Sequence, residues 1–158
     1  METYELATSA NDASILSRDL SPGCHRYLRP SATLKAFGLD PNKPESNETY
    51  STRMAGELAL LAVAKVDLVE DSIVIDADAA RAACRSEHTL VLKGQTKETV
   101  LEFGWTFDFE VTEDASGTEA KIKKLVEFID TAESMKYFQL MSEYVKARGS
   151  DISEIIHS

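Results

Sequence analysis

Apolar residues recur along this chain in two rhythms, and the change of rhythm divides it. From Ser46 to about Ala64 the spacing is helical: Tyr50, Met54, Leu58 and Leu61 share one stripe. Ser46 or Asn47 stands where an N-cap belongs, and Glu48 and Thr49 place polar groups in the first turn. From Thr99 to Thr112 the period is two. Phe103, Trp105, Phe107, Phe109 and Val111 take one face, and Glu102, Gly104, Thr106, Asp108 and Glu110 take the other. A polar turn over Thr112 to Ala120, containing Gly117, leads to a second strand from Lys121 to Asp130.

Shorter elements fill the rest. A short helix is predicted from Asp12 to Leu20, capped by Asn11 or Asp12 and ended by Ser21-Pro22-Gly23. Cys24 to Arg29 reads as a strand stopped by Pro30, and Ser31 to Glu45, with Gly38, Pro41 and Pro44, reads as a loop that holds at most a turn of helix. Val66 to Ile75 is a strand bulged around Glu70-Asp71, followed by a turn over Asp76 to Ala79 and a β-rich strand from Ala82 to Lys93. A terminal helix runs from Ala132 to Arg148, with Met135, Phe138, Met141 and Tyr144 on one stripe and Gly149 at its stop. Residues 1–150 thus make one domain and 151–158 a tail. Helices on one face of an antiparallel meander imply an α+β fold, a curved sheet wrapped over helices into a cone with an apolar interior.

Charge narrows the function. A net charge of −10 over 158 residues argues against nucleic-acid binding, which needs a basic face, and against anionic membranes. Cys24 and Cys84, with three histidines, form no zinc pattern and support no disulfide or catalytic thiol. The residues after Met1 lack a basic region and an apolar run, and Leu58 to Val63 is far too short to span a bilayer. A soluble cytoplasmic location is the expectation.

The residue that poses the chemical question is Asp130. By alternation it shares a face with Val126 and Phe128, and an unpaired carboxylate on an apolar face costs several kcal/mol. Two roles fit: a cap on the terminal helix, or a general acid or base whose pKa an apolar pocket raises toward neutrality.

Three segments carry a resemblance: Cys24-His25-Arg26-Tyr27-Leu28-Arg29-Pro30, Ser46-Asn47-Glu48-Thr49-Tyr50, and Val126-Glu127-Phe128-Ile129-Asp130-Thr131-Ala132. In this order they resemble the SnoaL-like branch of the NTF2-like superfamily. Within it the chain looks most like fungal biosynthetic isomerases and cyclases, such as those of the terretonin and austinol meroterpenoid pathways and the brevianamide semipinacolase. The first helix is short by comparison, so one pocket wall is thin.

The resemblance implies a homodimeric, cofactor-free enzyme that rearranges a bulky hydrophobic natural product by acid–base chemistry, without redox change. It implies that the first-strand basic residue and last-strand carboxylate face the pocket, here Arg26 and Asp130, and it favours catalysis for Asp130. A further acid is expected among Asp67, Glu70 and Asp71.

Arg26 is then a fixed cation that polarises a carbonyl, or an edge-strand arginine reaching water. His88 lies on the face of Cys84, Leu90 and Leu92, as a catalytic group or a satisfied core histidine. Tyr50, Phe103, Trp105, Phe107 and Phe128 are the expected substrate wall, or simply core. His25 and Tyr27 take the other face of the first strand and line the pocket only if the register slips by one. Glu102, Asp108 and Glu110 read as a solvated face or part of a dimer surface. His157 lies in the tail and is discounted. Dehydration on the same scaffold, or a non-catalytic binding or dimerisation module, are the alternatives.

Overall fold

The computed structural model describes residues 2–36, 38–114 and 117–149. His157, the tail 151–158 and the tip of the expected turn at 115–116 lie outside them. Four helices and five strands follow in the order α1 (Glu2–Ala10), β1 (Leu20–Arg29), α2 (Ser31–Ala36), α3 (Asn47–Leu60), β2 (Leu61–Asp76), β3 (Arg81–Leu92), β4 (Thr99–Asp114), β5 (Gly117–Ile129) and α4 (Thr131–Lys146). A single 3-10 turn over Ala13–Ser17 sits between α1 and β1, capped by Asp12.

The sheet order is β1-β5-β4-β3-β2. Strands β2 to β5 form the expected antiparallel meander, but β1 lies parallel to β5 at the edge. The sheet is therefore mixed rather than wholly antiparallel. Cross-strand partners point to one side, so whole rows can be followed. Ile75, Ala82, Phe107, Leu125 and Arg26 form one row, and Cys84, Trp105, Glu127 and Leu28 another. Further along the same inner face Ser86 stands opposite Phe103, and His88 opposite Leu101.

The helices cover part of this inner face. Tyr50, Met54 and Leu58 of α3 and Tyr137, Met141 and Tyr144 of α4 pack on Ala64, Leu90, Leu92 and Leu101. Helix α3 ends earlier than its pattern suggests, because β2 begins at once with Leu61. The bulge in β2 falls between Val69 and Val74 as the sequence predicts. There the Ser72 hydroxyl accepts the Arg85 N–H at 2.7 Å, which satisfies a donor the ladder has lost. The Tyr144 hydroxyl donates to the Lys93 carbonyl at 2.6 Å and ties α4 to the β3–β4 turn.

Two segments differ from the sequence expectation. Residues 2–10 form α1, so the N-terminal wall of the cone is a helix. Ser21-Pro22-Gly23 does not end a helix but opens β1 in a stretch where its pairing with β5 shifts register. No helix among the described residues is long and apolar enough to cross a membrane.

Asp130 is exposed and caps α4: its carboxylate accepts the N–H groups of Ala132 at 2.8 Å and Glu133 at 3.1 Å. Asp130→Ala is expected to lower stability by about 1 kcal/mol, and Asp130→Asn, an equally good cap, by a few tenths at most. Denaturant unfolding of both variants checks this. A loss in the Asn variant as large as in the Ala variant would mean that the negative charge, not the cap, matters.

Candidate active site

Register decides which acid meets Arg26. On β5 the buried, inward residues are Leu125 and Glu127, while Phe128 is 47% exposed on the opposite face, beside Gly104. The expected substrate contact of Phe128 is therefore replaced by an outward position. Asp130 is exposed at the helix cap, where its carboxylate accepts the Ala132 and Glu133 N–H groups. The buried carboxylate belongs to Glu127, three residues earlier.

Arg26 and Glu127 are 7% and 8% exposed, and Arg26 Nη1 donates to Glu127 Oε2 at 3.3 Å. The Arg26 guanidinium lies over the Tyr50 ring, 3.3 Å from its centroid, and Arg53 lies 5.3 Å from the same ring. Arg53 makes a two-pronged ion pair with Glu45, at 2.8 and 3.0 Å. Backbone hydrogen bonds explain the placing of Glu45. It forms an antiparallel bridge with Arg26 on the free edge of β1, which sends its side chain to the same side.

Helix α3 supplies the rest. Arg53 and Glu57 follow Tyr50 at i+3 and i+7, on the stripe that carries Met54 and Leu58 into the core. Glu57 lies near the hydroxyls of Tyr4 from α1 and Tyr137 from α4. Two donors nevertheless lack a partner of good geometry: Arg26 Nε and the Tyr137 hydroxyl, both buried.

Burial dominates the electrostatics. Desolvation raises the pKa of Glu127 against the opposing pull of Arg26 and Arg53. Desolvation likewise raises Glu57, against Arg53. For Arg53 desolvation works against the charge, but the bonds to Glu45 more than offset it and raise its pKa. Burial lifts Tyr4 and Tyr50 as well.

His88 is buried on the inner face but belongs to a separate, neutral group. Its ring lies 4.2 Å from Phe103 and 5.5 Å from Tyr4, and burial lowers its pKa to about 4. Ser86 Oγ accepts from Trp105 Nε1 at 2.7 Å and lies 3.0 Å from His88 Nε2. At neutral pH the hydroxyl can donate to an unprotonated Nε2. His88 is thus a satisfied, uncharged acceptor in an aromatic wall. That wall continues as Trp105, Phe107 and Phe109, stacked at 6.4 and 6.2 Å and all half-buried. Trp105 stands directly opposite Glu127, so the half-buried aromatic wall adjoins the charged cluster.

The other sequence candidates lie elsewhere. Asp67, Glu70 and Asp71 are exposed on β2, with Asp67 paired to Lys65. His25 is exposed, and Tyr27 lies on the outer face between Arg29 and Lys124. Arg53, Glu45 and Glu57 were not singled out from sequence. The available signal was two charged residues on the apolar stripe of α3. Among the described residues no three His, Cys, Asp or Glu side chains converge as metal ligands.

Removing one partner of a buried pair strands the other charge. Arg26→Met is expected to cost about 3–5 kcal/mol in denaturant unfolding, and adding Glu127→Leu to return most of that loss. Additive losses in the double variant would show that the two groups are not coupled.

No protein-family model matches this chain, and no curated protein matches it in sequence. Solved structures do match its fold. The BvnE pinacolase from Penicillium brevicompactum superposes with a TM-score of 0.65 at 13% identity, over 89% of this chain and 90% of that one. PrhC from Penicillium brasilianum NBRC 6234 gives a TM-score of 0.65 at 17% identity, over 92% and 85%. An NTF2-like protein of unknown function from Burkholderia pseudomallei gives 0.54 at 14% identity, over 85% and 91%. Identities this low speak for the path of the backbone and not for a shared reaction. Helices α1, α3 and α4 seated in a curved sheet of order β1-β5-β4-β3-β2 are the NTF2-like cone, and that is the fold of this chain.

Proposed function

We propose that this protein is an isomerase or cyclase that rearranges a hydrophobic, carbonyl-bearing small molecule by acid–base chemistry. The observation that carries this reading is the Arg26–Glu127 pair, buried on the inner face beside a half-open aromatic wall. Arg26 is a permanent cation with one N–H free of partners, suited to polarise a carbonyl and hold the charge of an enolate or alkoxide. Glu127, desolvated and held by one long hydrogen bond, is suited to take a proton. Trp105, Phe107 and Phe103 hold the apolar body of the substrate in its reactive shape. Tyr50 fixes the arginine by its ring face. Side chains of this chain fill each of these roles, which supports a reaction run without a cofactor. The fold likeness to the BvnE pinacolase agrees with such a role.

The test uses purified protein, stripped of metal and cofactor, incubated with hydrophobic extracts of its source and followed by chromatography and mass spectrometry. A product isobaric with a consumed compound is expected, and Glu127→Gln should form it about 10²–10⁴-fold more slowly. A product lighter by one water would reassign the site to elimination. Full activity of Glu127→Gln would remove Glu127 from the chemistry.

We also infer a homodimer. Beyond the helices the inner face continues along the outer halves of the long strands, where Ile75 is 73% and Val111 51% exposed in line with Phe107 and Phe109. Contiguous exposed apolar surface of this kind marks an association surface. Sedimentation should give twice the chain mass for the wild type, and Ile75→Lys should shift it toward the monomer with the fold retained. A wild-type monomer at high concentration would overturn the inference.

A further inference from the structure

Trp105 has an acid on one side and a hydroxyl on the other. Across β5 it stands directly opposite Glu127; across β3 it stands opposite Cys84, with Ser86 two residues along on the same face. Directly opposite residues of an antiparallel pair bring their Cβ atoms to about 4.5–5.5 Å, and diagonal neighbours stay within reach of an aromatic side chain. The indole N–H can therefore serve either side. It goes to β3: Nε1 donates to Ser86 Oγ at 2.7 Å, and the indole lies near-parallel to the Phe103 ring at 5.6 Å. Glu127 meets Arg26 instead, whose Nη1 donates to it from the β1 side at 3.3 Å. Ser86 is itself 1% exposed, and His88 Nε2 lies 3.0 Å from its hydroxyl oxygen. An indole N–H can only donate, so Ser86 Oγ is its acceptor. The single hydroxyl proton is then turned to the histidine, which accepts it on Nε2 and keeps its own proton on Nδ1. An indole released from Ser86 would have one strong acceptor beside it. Rotation about χ2 would carry the N–H to the β5 side, onto the Glu127 carboxylate, in a charge-assisted bond. A carboxylate that accepts such a bond is a weaker base.

We propose that Ser86, backed by His88, is a positioning residue of the site: it holds the indole N–H of Trp105 on the β3 side and so keeps the Glu127 carboxylate free to take the proton of the substrate. This rests on the acid–base reading above, in which Glu127 is the base. Ser86 and His88 act through Trp105 and touch no reacting atom. The role accounts for two polar side chains buried behind an aromatic wall, where each costs free energy unless it is hydrogen-bonded. The contact also sets the plane of the indole. With its one polar atom tied to Ser86, the ring stays stacked between Phe103 and Phe107, at 5.6 and 6.4 Å, and offers a fixed flat surface to an apolar substrate beside Glu127. A side chain without a hydroxyl at position 86 would leave the indole N–H and His88 Nε2 unpaired together.

Nuclear magnetic resonance of the full chain tests the placement without a substrate, because Trp105 is the only tryptophan and gives a single indole N–H signal. Glu127→Gln alone should leave that signal almost unmoved. In Ser86→Ala the signal should shift downfield, and adding Glu127→Gln should reverse the shift. Ser86→Thr, which keeps the hydroxyl, should hold the wild-type position, with circular dichroism confirming the fold of each variant. Should Ser86→Ala not fold, Ser86→Cys, whose sulfur is a weaker acceptor, should show the same Glu127-dependent shift in smaller measure. A signal in either variant that ignores Glu127→Gln overturns the proposal, as does a large shift from Glu127→Gln alone. With turnover in hand, Ser86→Ala should lower kcat about tenfold with KM little changed, and Ser86→Thr should restore it. A Glu127-dependent shift accompanied by wild-type kcat would instead count against Glu127 as the base, and so against the acid–base reading itself.

Discussion

Five charged side chains packed beneath a sheet face are the constraint around which this molecule is arranged. Water would hold them cheaply; an apolar interior does not. Each feature of their neighbourhood reduces that cost. Arg53 and Glu45 close on each other by two hydrogen bonds. Arg26 spreads its charge over the Tyr50 ring and reaches Glu127. The pairing of β1 with β5 in parallel makes this meeting possible, because Arg26 lies beside Leu125 and Glu127 is the next residue on that face. A shift of one residue would send Glu127 to the outer face and strand Arg26.

The aromatic residues work on the same constraint from the other side. Trp105 stands opposite Glu127 and Phe107 opposite Leu125, so apolar ring surface borders the cluster on this side. Their own polar atoms are settled separately: the indole N–H goes to Ser86, and Ser86 lies against His88. His88, with a pKa near 4, is uncharged at neutral pH and adds nothing to the balance of the cluster. The wall is therefore electrically quiet, and the charge is left to the arginine and carboxyl groups.

Much of the fold was legible from residue pattern. The long helix with its Ser46 cap, the bulged strand, the aromatic strand and the terminal helix all appear close to where their periodicities put them. The elements that differ are those with weak local signals. Helix α1 is nine residues long and is held by packing on β2 and α3, with Ala7 buried and Tyr4 turned inward. The Ser21-Pro22-Gly23 stretch looks like a breaker, yet it lies in β1 where the ladder to β5 is irregular and a missing N–H is tolerated.

The sequence by itself determined the α+β class, the order of most elements and the capping chemistry available at Asp130. It did so because helical and strand periodicities are local properties of the chain. It left the inward face of β5 undecided, since Leu125 and Ile129 compete with Val126 and Phe128 as apolar sets. Only the tertiary structure decided that Glu127 lies inside and Asp130 outside, because the ladder with β4 sets that parity by placing Glu127 opposite Trp105. It alone also assembled Glu45, Arg53 and Glu57 with Arg26. Those groups come from a strand-edge bridge, a helix stripe and a parallel strand, and long-range pairing, invisible in any local window, brings them to one point.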